Sequence, residues 1–578
     1  MFLGLEKKSY KNSKKISSLI KSLKNKLIIV SIFFAFPATL FSQETVQEKL
    51  LEEQTESSEQ SELYEIIQSL KENPIDLNSA NLHMLEIIPG FTTGIRQAII
   101  NYRQKNGRFQ SKTDLLNIPG MTTELYEVVR DLVFIKTART TTLKRVQLNW
   151  RVRLSDRVDR PKGFRDGTYE SSPQKIYQRL TFSVTKNISG GVLLEKDSGE
   201  KRLDDLRLFY AKMHLSEKLD FLLGNYHIET GQGLVLWGPY GFSKSANPIY
   251  PVKKRGRGVR GYSTVDENAA FTGGALSFQT GAVHILAFAS KSKLDATPAT
   301  NEIMTSLFPT GFHRNASEKS KKDRVTESVI GGRIRYSTLI GASIGVTYYT
   351  SSFDKTIDSP NLQRNHFSFR GHKNSVGGFD WQWPLRNGLF FGEAARSSSG
   401  GTAVIAGVQF DFDKVQLAIL FRDYKKDFHN FHGFGFADRN GKTQNERGYY
   451  TGLRYRITPS TTVAGYFDLF SQHWRTFFNP LPGEGRDFLS EVEQKFGKKM
   501  TLALRYRENK ELQSQTFRDS FGREKRELVS EHISRWRLQL DYRISKTLSL
   551  RNRVEYSRYS HTGLTQITAH KKAGGILL

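Results

Sequence analysis

A chain of 578 residues exceeds what a single hydrophobic core supports, so two or more structural units are expected. With a mean hydropathy of −0.49 and one apolar stretch near residue 30, it is excluded from the polytopic helical membrane proteins, while 12% aromatic residues, 47 Gly and no Cys suit a membrane β-barrel and exclude thiolate catalysis, Cys-zinc sites and disulfides. The formal charge of +28 falls to +21 without residues 1–42, which hold eight Lys and one Glu; this favours anionic partners without choosing among nucleic acid, lipopolysaccharide and lumenal counter-ions.

The chain opens on a lysine-rich stretch, Lys7 to Lys26, followed by LIIVSIFFAFPATLFS. That run is short for a membrane span of roughly 20 residues and contains Pro37, so residues 1–42 are expected to be a cleaved signal peptide ending at Ser42. Residues 43–73 are rich in Glu, Gln and Ser and end in LYEIIQSL, apolar at helical spacing. They read as an acidic polar linker running into a helix.

Residues 74–138 read as a compact helical unit with an internal repeat at an offset of 30. Leu85, Ile88, Pro89, Gly90, Thr92 and Thr93 align with Leu115, Ile118, Pro119, Gly120, Thr122 and Thr123. Each copy is expected to be a helix, an IPG turn and a second helix: Pro blocks continuation of the first, and Gly supplies a positive φ or a close backbone approach. Amide groups at the start of the second helix would then offer a seat for phosphate that does not read sequence.

The opening DLNSAN, the two IPG turns, INYRQKNGRF and TDLLNIPG resemble the ComEA-type double helix-hairpin-helix domain, over residues 75–135 or about a tenth of the chain. That resemblance implies binding of double-stranded DNA without sequence preference, through Gly90, Phe91, Thr92 and Thr93 in the first hairpin and Gly120, Met121, Thr122 and Thr123 in the second. Arg96, Lys105 and Arg108 are the accompanying basic candidates. Two features depart from the family: its second hairpin Gly is replaced by Thr92 and Thr122, and residues 74–135 carry six basic and six acidic residues. A neutral domain gains little from counterion release. Two expectations therefore stand: non-specific DNA binding with a role in DNA uptake, or a transport or structural barrel whose helix-hairpin-helix module binds no DNA and docks as a plug on the barrel or on another periplasmic or outer-membrane protein.

From residue 142 to 578 the period changes to two. Val146, Leu148, Trp150, Val152 and Leu154 oppose Arg145, Gln147, Asn149, Arg151 and Arg153; Trp536, Leu538, Leu540, Tyr542 and Ile544 oppose Arg535, Arg537, Gln539, Asp541 and Arg543. A tight turn at Ser545 and Lys546 joins the latter to Leu548 and Leu550. Further strands are expected at 176–186, 206–227, 270–290, 328–350, 376–396, 402–423, 449–470 and 498–508, separated by short turns and by long connections at 228–268, 291–325 and 424–447. The fold class expected is therefore mainly β: a transmembrane antiparallel β-barrel of about 14 to 20 strands in outer-membrane lipid, with a small all-α N-terminal domain in the periplasm. A soluble β-sandwich gives the same alternation, but the leader, the length of the β region and aromatics beside the apolar faces favour the barrel. The chain stops at Leu578 without the aromatic-terminated strand common in such barrels, so the closing strand lacks that signal or the barrel continues beyond this sequence. The passage GNYHIETGQGLVLWGPYG, with YSTVDENAAFTGGAL after it, also resembles Bacteroidota-type outer-membrane proteins that join such a domain to a barrel.

Within KKRGRGVRGY, Lys253, Lys254, Arg255, Arg257 and Arg260 form a candidate anion-binding loop, with an ordinary solvated or lumen-folded loop as the alternative. Arginines recurring on the polar faces predict a basic lumen, either open to anions or paired with Asp and Glu. Ser343 in GASIG matches a nucleophile pattern but lies within a strand, and His429 and His432 lack a carboxylate at ligand spacing. No enzyme activity, metal or cofactor is expected.

Overall fold

The computed structural model describes residues 66, 67, 69–71 and 74–135, and from 146 to 577 all but short stretches at 186, 240, 242–243, 308–310, 339, 439–440, 477–478, 480, 519–520, 546–547 and 564–567. The expected signal peptide, most of the linker, Arg145, Lys546 and Leu578 lie outside these residues. Residues 46–578 form one compact unit.

The helical domain is clasped by two short parallel strands, β1 (Ile75–Asp76) and β2 (Val133–Phe134). Between them run α1 (Leu82–Glu86), α2 (Thr93–Asn106), a 3₁₀ turn (Lys112–Asn117) and α3 (Thr123–Val129). The DLNSAN motif explains the entry. The Asp76 carboxylate accepts from Asn78 N, Asn78 exchanges two hydrogen bonds with the Phe109 backbone, and Asn81 caps α1. Ser111 and Asp114 form a capping box. Leu77, Leu85, Ile88, Ile99, Leu115 and Val129 fill the core.

Twenty long strands between Gln147 and Leu577 close into one antiparallel barrel, at the upper end of the expected range. Three shorter strands, Gly258–Gly261, Ala296–Pro298 and Ile303–Leu307, belong to its loops. Connections alternate. Tight turns such as 217–218, 281–282, 386–387 and 412–414 lie on the rim where the first strand starts and the helical domain joins; segments 156–174, 230–257, 295–302 and 425–445 leave the other. Short turns on one rim and long loops on the other are the outer-membrane pattern.

Period two separates two chemistries. Leu148, Trp150, Val346, Trp383, Leu453, Trp536 and Leu538 are exposed on the outer wall, where a bilayer would cover them. Inward, Arg333 pairs with Asp380 at 2.5 Å, and Arg422 with Glu446 at 2.6 Å and Asp468 at 2.8 Å. Arginine paired inside the barrel was one of the two expected outcomes, and these pairs take that form.

Most expected strands are present, usually as hairpins with longer limbs. Three were missed: Ile188–Lys196, Gly483–Phe496 and Thr568–Leu577. The first and last are interrupted by Gly-Gly pairs, and the middle one carries charge on too many positions for alternation to show.

Candidate functional site

Both IPG turns adopt the same geometry. Gly90 and Gly120 each sit at φ 85°, and the next amide returns to the preceding Ile carbonyl: Phe91 N to Ile88 O at 3.2 Å, Met121 N to Ile118 O at 3.0 Å. The tips pack reciprocally. A Cβ on Gly90 would lie 2.5 Å from Leu125 Cδ1 of the second hairpin, and one on Gly120 3.2 Å from Ile95 Cγ1 of the first. Thr92 and Thr122, the departures from the family pattern, cap α2 and α3 by accepting from Ile95 N at 3.3 Å and Leu125 N at 3.2 Å. Each hydroxyl oxygen thus satisfies one amide at a helix end.

The two hairpins differ in surroundings. Gly120, Thr122 and Thr123 are exposed and Met121 half-buried, whereas Phe91 is buried, Thr92 half-buried and Gly90 exposed; Thr93 opens α2 and its side chain is outside those described. Arg96 is not presented to solvent, as a phosphate contact requires. It is buried against Glu86 at 3.4 Å, and its Nε donates to Thr92 O. Burial lowers its pKa, with the nearby Arg255 adding to the effect. Lys105 and Arg108 are exposed, but Lys105 lies in the last turn of α2 and Arg108 just beyond it, about 20 Å along a fourteen-residue helix from the first tip. The structure does not gather these basic residues beside the hairpin tips.

The basic loop is a correction to the expectation of an anion-binding loop. Segment 230–257 folds back into the lumen. There the Glu393 carboxylate on the wall accepts from the amides of Gln232 at 2.6 Å, Leu234 at 2.9 Å and Val235 at 3.2 Å. Tyr450 donates to Pro248 O at 2.8 Å, and Gln409, near the tight-turn rim, to Ile249 O at 2.8 Å. The segment therefore descends through the barrel to the side of the helical domain. Lys253, Lys254 and Arg255 are buried and committed. Lys253 Nζ donates to Glu86 Oε1 at 2.6 Å, Lys254 lies over the Trp237 ring at 4.2 Å, and Arg255 covers Tyr250 at 3.9 Å while donating to two carbonyls. Arg257 is held bidentately by Glu229, and Arg260 reaches Ser69 of the helical domain. Burial pulls the Lys253 ammonium down to about 8 despite Glu86.

These contacts form an interface. Tyr250 belongs to the hydrophobic core of the helical domain, and the tight turn at Gly341 lies against Leu82. Neither Glu86 nor Tyr250 stood out in the sequence: a lone acid before an IPG turn and an aromatic in a Pro-rich loop carry no pattern. Ser343 is buried and accepts from Arg335 at 3.1 Å, and His432 pairs with Glu327 at 2.9 Å within the lumen.

One titratable cluster joins the loops of the opposite rim. Ligating atoms of Glu200, Asp205, Glu267 and His313 lie within 4.8 Å of one another. His313 bonds through Nδ1 to Asp205 at 2.5 Å and through Nε2 to Asp295 at 2.9 Å, and Lys322 donates to Asp205 at 2.8 Å. An imidazolium and an ammonium already supply the cations here, so the arrangement is an ion-paired clasp.

Residues 70–134 match the family model described as helix-hairpin-helix motif. ComE operon protein 1 of Bacillus subtilis (strain 168) is 32% identical over 62 residues, 11% of this chain, and the chain spans about 30% of that relative's length. Among solved structures, Wzi of Escherichia coli, described as an outer membrane carbohydrate-binding β-barrel involved in group 1 capsule assembly, aligns over 76% of this chain and 95% of its own at 11% identity and a TM-score of 0.36. OprD of Pseudomonas aeruginosa aligns over 63% and 86% at 11% identity and a TM-score of 0.31. Residues 70–134 thus carry a helix-hairpin-helix domain similar to that of ComE operon protein 1, joined to a closed antiparallel β-barrel.

Proposed function

We propose that this chain is an outer-membrane barrel protein, without enzymatic activity, whose helix-hairpin-helix domain faces the periplasm and plugs the tight-turn mouth of the lumen. The observation that carries this reading is the buried Lys253–Glu86 pair, with Tyr250 in the domain's core. Removing one partner of such a pair leaves an uncompensated charge and costs about 3 to 5 kcal/mol. The chain has no Cys, so Leu82→Cys in the full-length protein is a single reporter of the interface. Glu86→Ala is expected to raise its maleimide labelling at least several-fold. Unchanged labelling in a correctly folded barrel would sink the plug reading.

A second reading is favoured by the exposed turn Gly120–Thr123 together with the family resemblance. One hairpin remains accessible for duplex DNA, which would bind weakly and with strong salt dependence. Electrophoretic shifts of duplex DNA by the full-length protein in detergent at low and moderate salt test it, with Gly120→Arg as the variant. Absence of binding at low ionic strength removes the nucleic-acid role.

A further inference from the structure

The outer wall changes chemistry along the strands. On the adjacent strands Val283–Leu294, Val325–Ser337, Ser343–Asp358 and Arg370–Leu385 the outward positions near the tight-turn rim are apolar or aromatic, Tyr336, Ile344 and Trp383 among them. This band ends at Ile330 and Tyr348, both more than half exposed. Beyond it, toward the long-loop rim, the outward residues are Lys291 and Lys293 on the first strand, Ser328 on the second, Ser352 on the third and Lys373 on the fourth, all exposed. The same faces that meet acyl chains lower down thus carry ammonium and hydroxyl groups at headgroup height.

The register sets four of these residues in one row. Lys291 lies opposite Ser328, Ser328 opposite Ser352, and Ser352 opposite Lys373. A cation stands at each end, with two hydroxyls between. The end strands are three spacings apart, about 14 Å between backbones. Lys293 is two residues further along the first strand, and Arg324, exposed just before the second, adds charge at the same end while donating to Ser320 O at 2.5 Å. Asp354, the acid on this face of the third strand, accepts from Thr326 N at 2.7 Å. Lumenal arginines such as Arg333 and Arg422 are held by carboxylates. Among the described residues, Lys291, Lys293 and Lys373 have no carboxylate partner. Lysines left unpaired beside a lipid-facing band call for an anion supplied by the membrane.

We infer that this row seats the headgroup of a diphosphorylated glycolipid, lipid A. One phosphate lies on Lys291 and Lys293 and the other on Lys373, the sugars cross Ser328 and Ser352, and the acyl chains run down the wall over Ile330 and Tyr348. A phospholipid carries a single phosphate and satisfies one end of the row only. Placing this lipid at the long-loop rim rests on the orientation proposed above, in which that rim faces outward.

The test uses the full-length protein in detergent, with native mass spectrometry after addition of diphosphoryl lipid A or phosphatidylglycerol. Lipid A is expected to be retained at least five-fold more than phosphatidylglycerol. Lys291→Gln, Lys293→Gln and Lys373→Gln combined should lower its retention at least ten-fold, whereas Lys218→Gln with Lys414→Gln, two exposed lysines in tight turns, should leave it unchanged. Heat-modifiable gel mobility confirms that each variant barrel is folded. Equal retention by the triple variant, or phosphatidylglycerol retained as well as lipid A, would overturn the inference. Orientation is read separately: Asn361→Cys, exposed in the connection between Asp358 and Arg370, should be labelled on intact cells by a membrane-impermeant maleimide. Absence of that label would refute the outward-facing rim, and with it lipid A as the occupant, even where the purified protein retains it.

Discussion

His313 shows how single residues hold loops far apart in sequence. Burial opposes its charge, but hydrogen bonds to Asp205 and Asp295 outweigh burial and push its pKa up to about 10. Glu267 is driven up to about 9 by burial and by the neighbouring Glu200. Asp205, although partly buried, is brought down to about 2 by His313 and Lys322. The signs combine simply. A raised histidine stabilises fully below its ordinary 6.5 and loses that contribution as pH rises through about 10. A raised carboxyl binds its proton more tightly in the folded loops, so stability also falls with pH between 4.5 and about 9. The lowered aspartate stabilises above 3.8 and loses this as pH falls through about 2. The clasp should therefore be tightest in mildly acidic solution. Limited proteolysis of loops 197–205 and 295–302 in detergent should accelerate between pH 7 and 10, and His313→Gln should weaken that dependence, leaving the part that Glu267 supplies below about pH 9. A wild-type rate flat across this range would refute the assignment. His313 carried no signal in the sequence, because its carboxylate partners come from three separate loops.

At the scale of elements, the hairpins were legible because their conformation is local. An Ile-Pro-Gly turn needs only a positive φ at Gly, and Gly90 and Gly120 meet that requirement identically. Alanine at either position is strained by its backbone, at a cost of at least about 1 kcal/mol. Gly90→Ala must also push into Leu125 at 2.5 Å, whereas Gly120→Ala meets Ile95 at the tolerable limit of 3.2 Å. Thermal melts of the full-length protein, followed by helical circular dichroism, should rank Gly90→Ala below Gly120→Ala; the reverse order would show that the reciprocal packing is wrong. The role of Thr92 and Thr122 was harder to read. As departures from a Gly pattern they suggested a weaker phosphate seat, but as caps they stabilise helices directly, and Thr→Ala at either should cost about 1 kcal/mol. Barrel strands were legible where one face is apolar without interruption. Gly483–Phe496 escaped because its lumenal Asp487 and Glu491 are matched by Arg507 and Arg505 on the next strand, which sequence spacing does not reveal.

For the whole molecule, the barrel supplies a wall and the chain fills it from both ends. Segment 230–257 enters from the long-loop rim and is held at mid-wall by Glu393; it then presents Tyr250 and Lys253 to the helix-hairpin-helix domain at the other rim. The domain therefore rests on a segment that itself depends on one carboxylate. This dependence has a direction. Glu393→Ala leaves three buried amide groups without an acceptor, each costing about 1 to 3 kcal/mol, and so should loosen the segment and the domain resting on it together. Glu86→Ala should release the domain while Glu393 still holds the segment inside the wall. In planar bilayers Glu393→Ala is thus expected to raise single-channel conductance and, in micelles, the labelling of the Leu82→Cys reporter, whereas Glu86→Ala raises labelling with a much smaller change in conductance. If Glu86→Ala alone matched the conductance of Glu393→Ala, the domain rather than the lumenal segment would be the principal barrier. The order of dependence would then be reversed, with segment 230–257 held down by the domain it contacts.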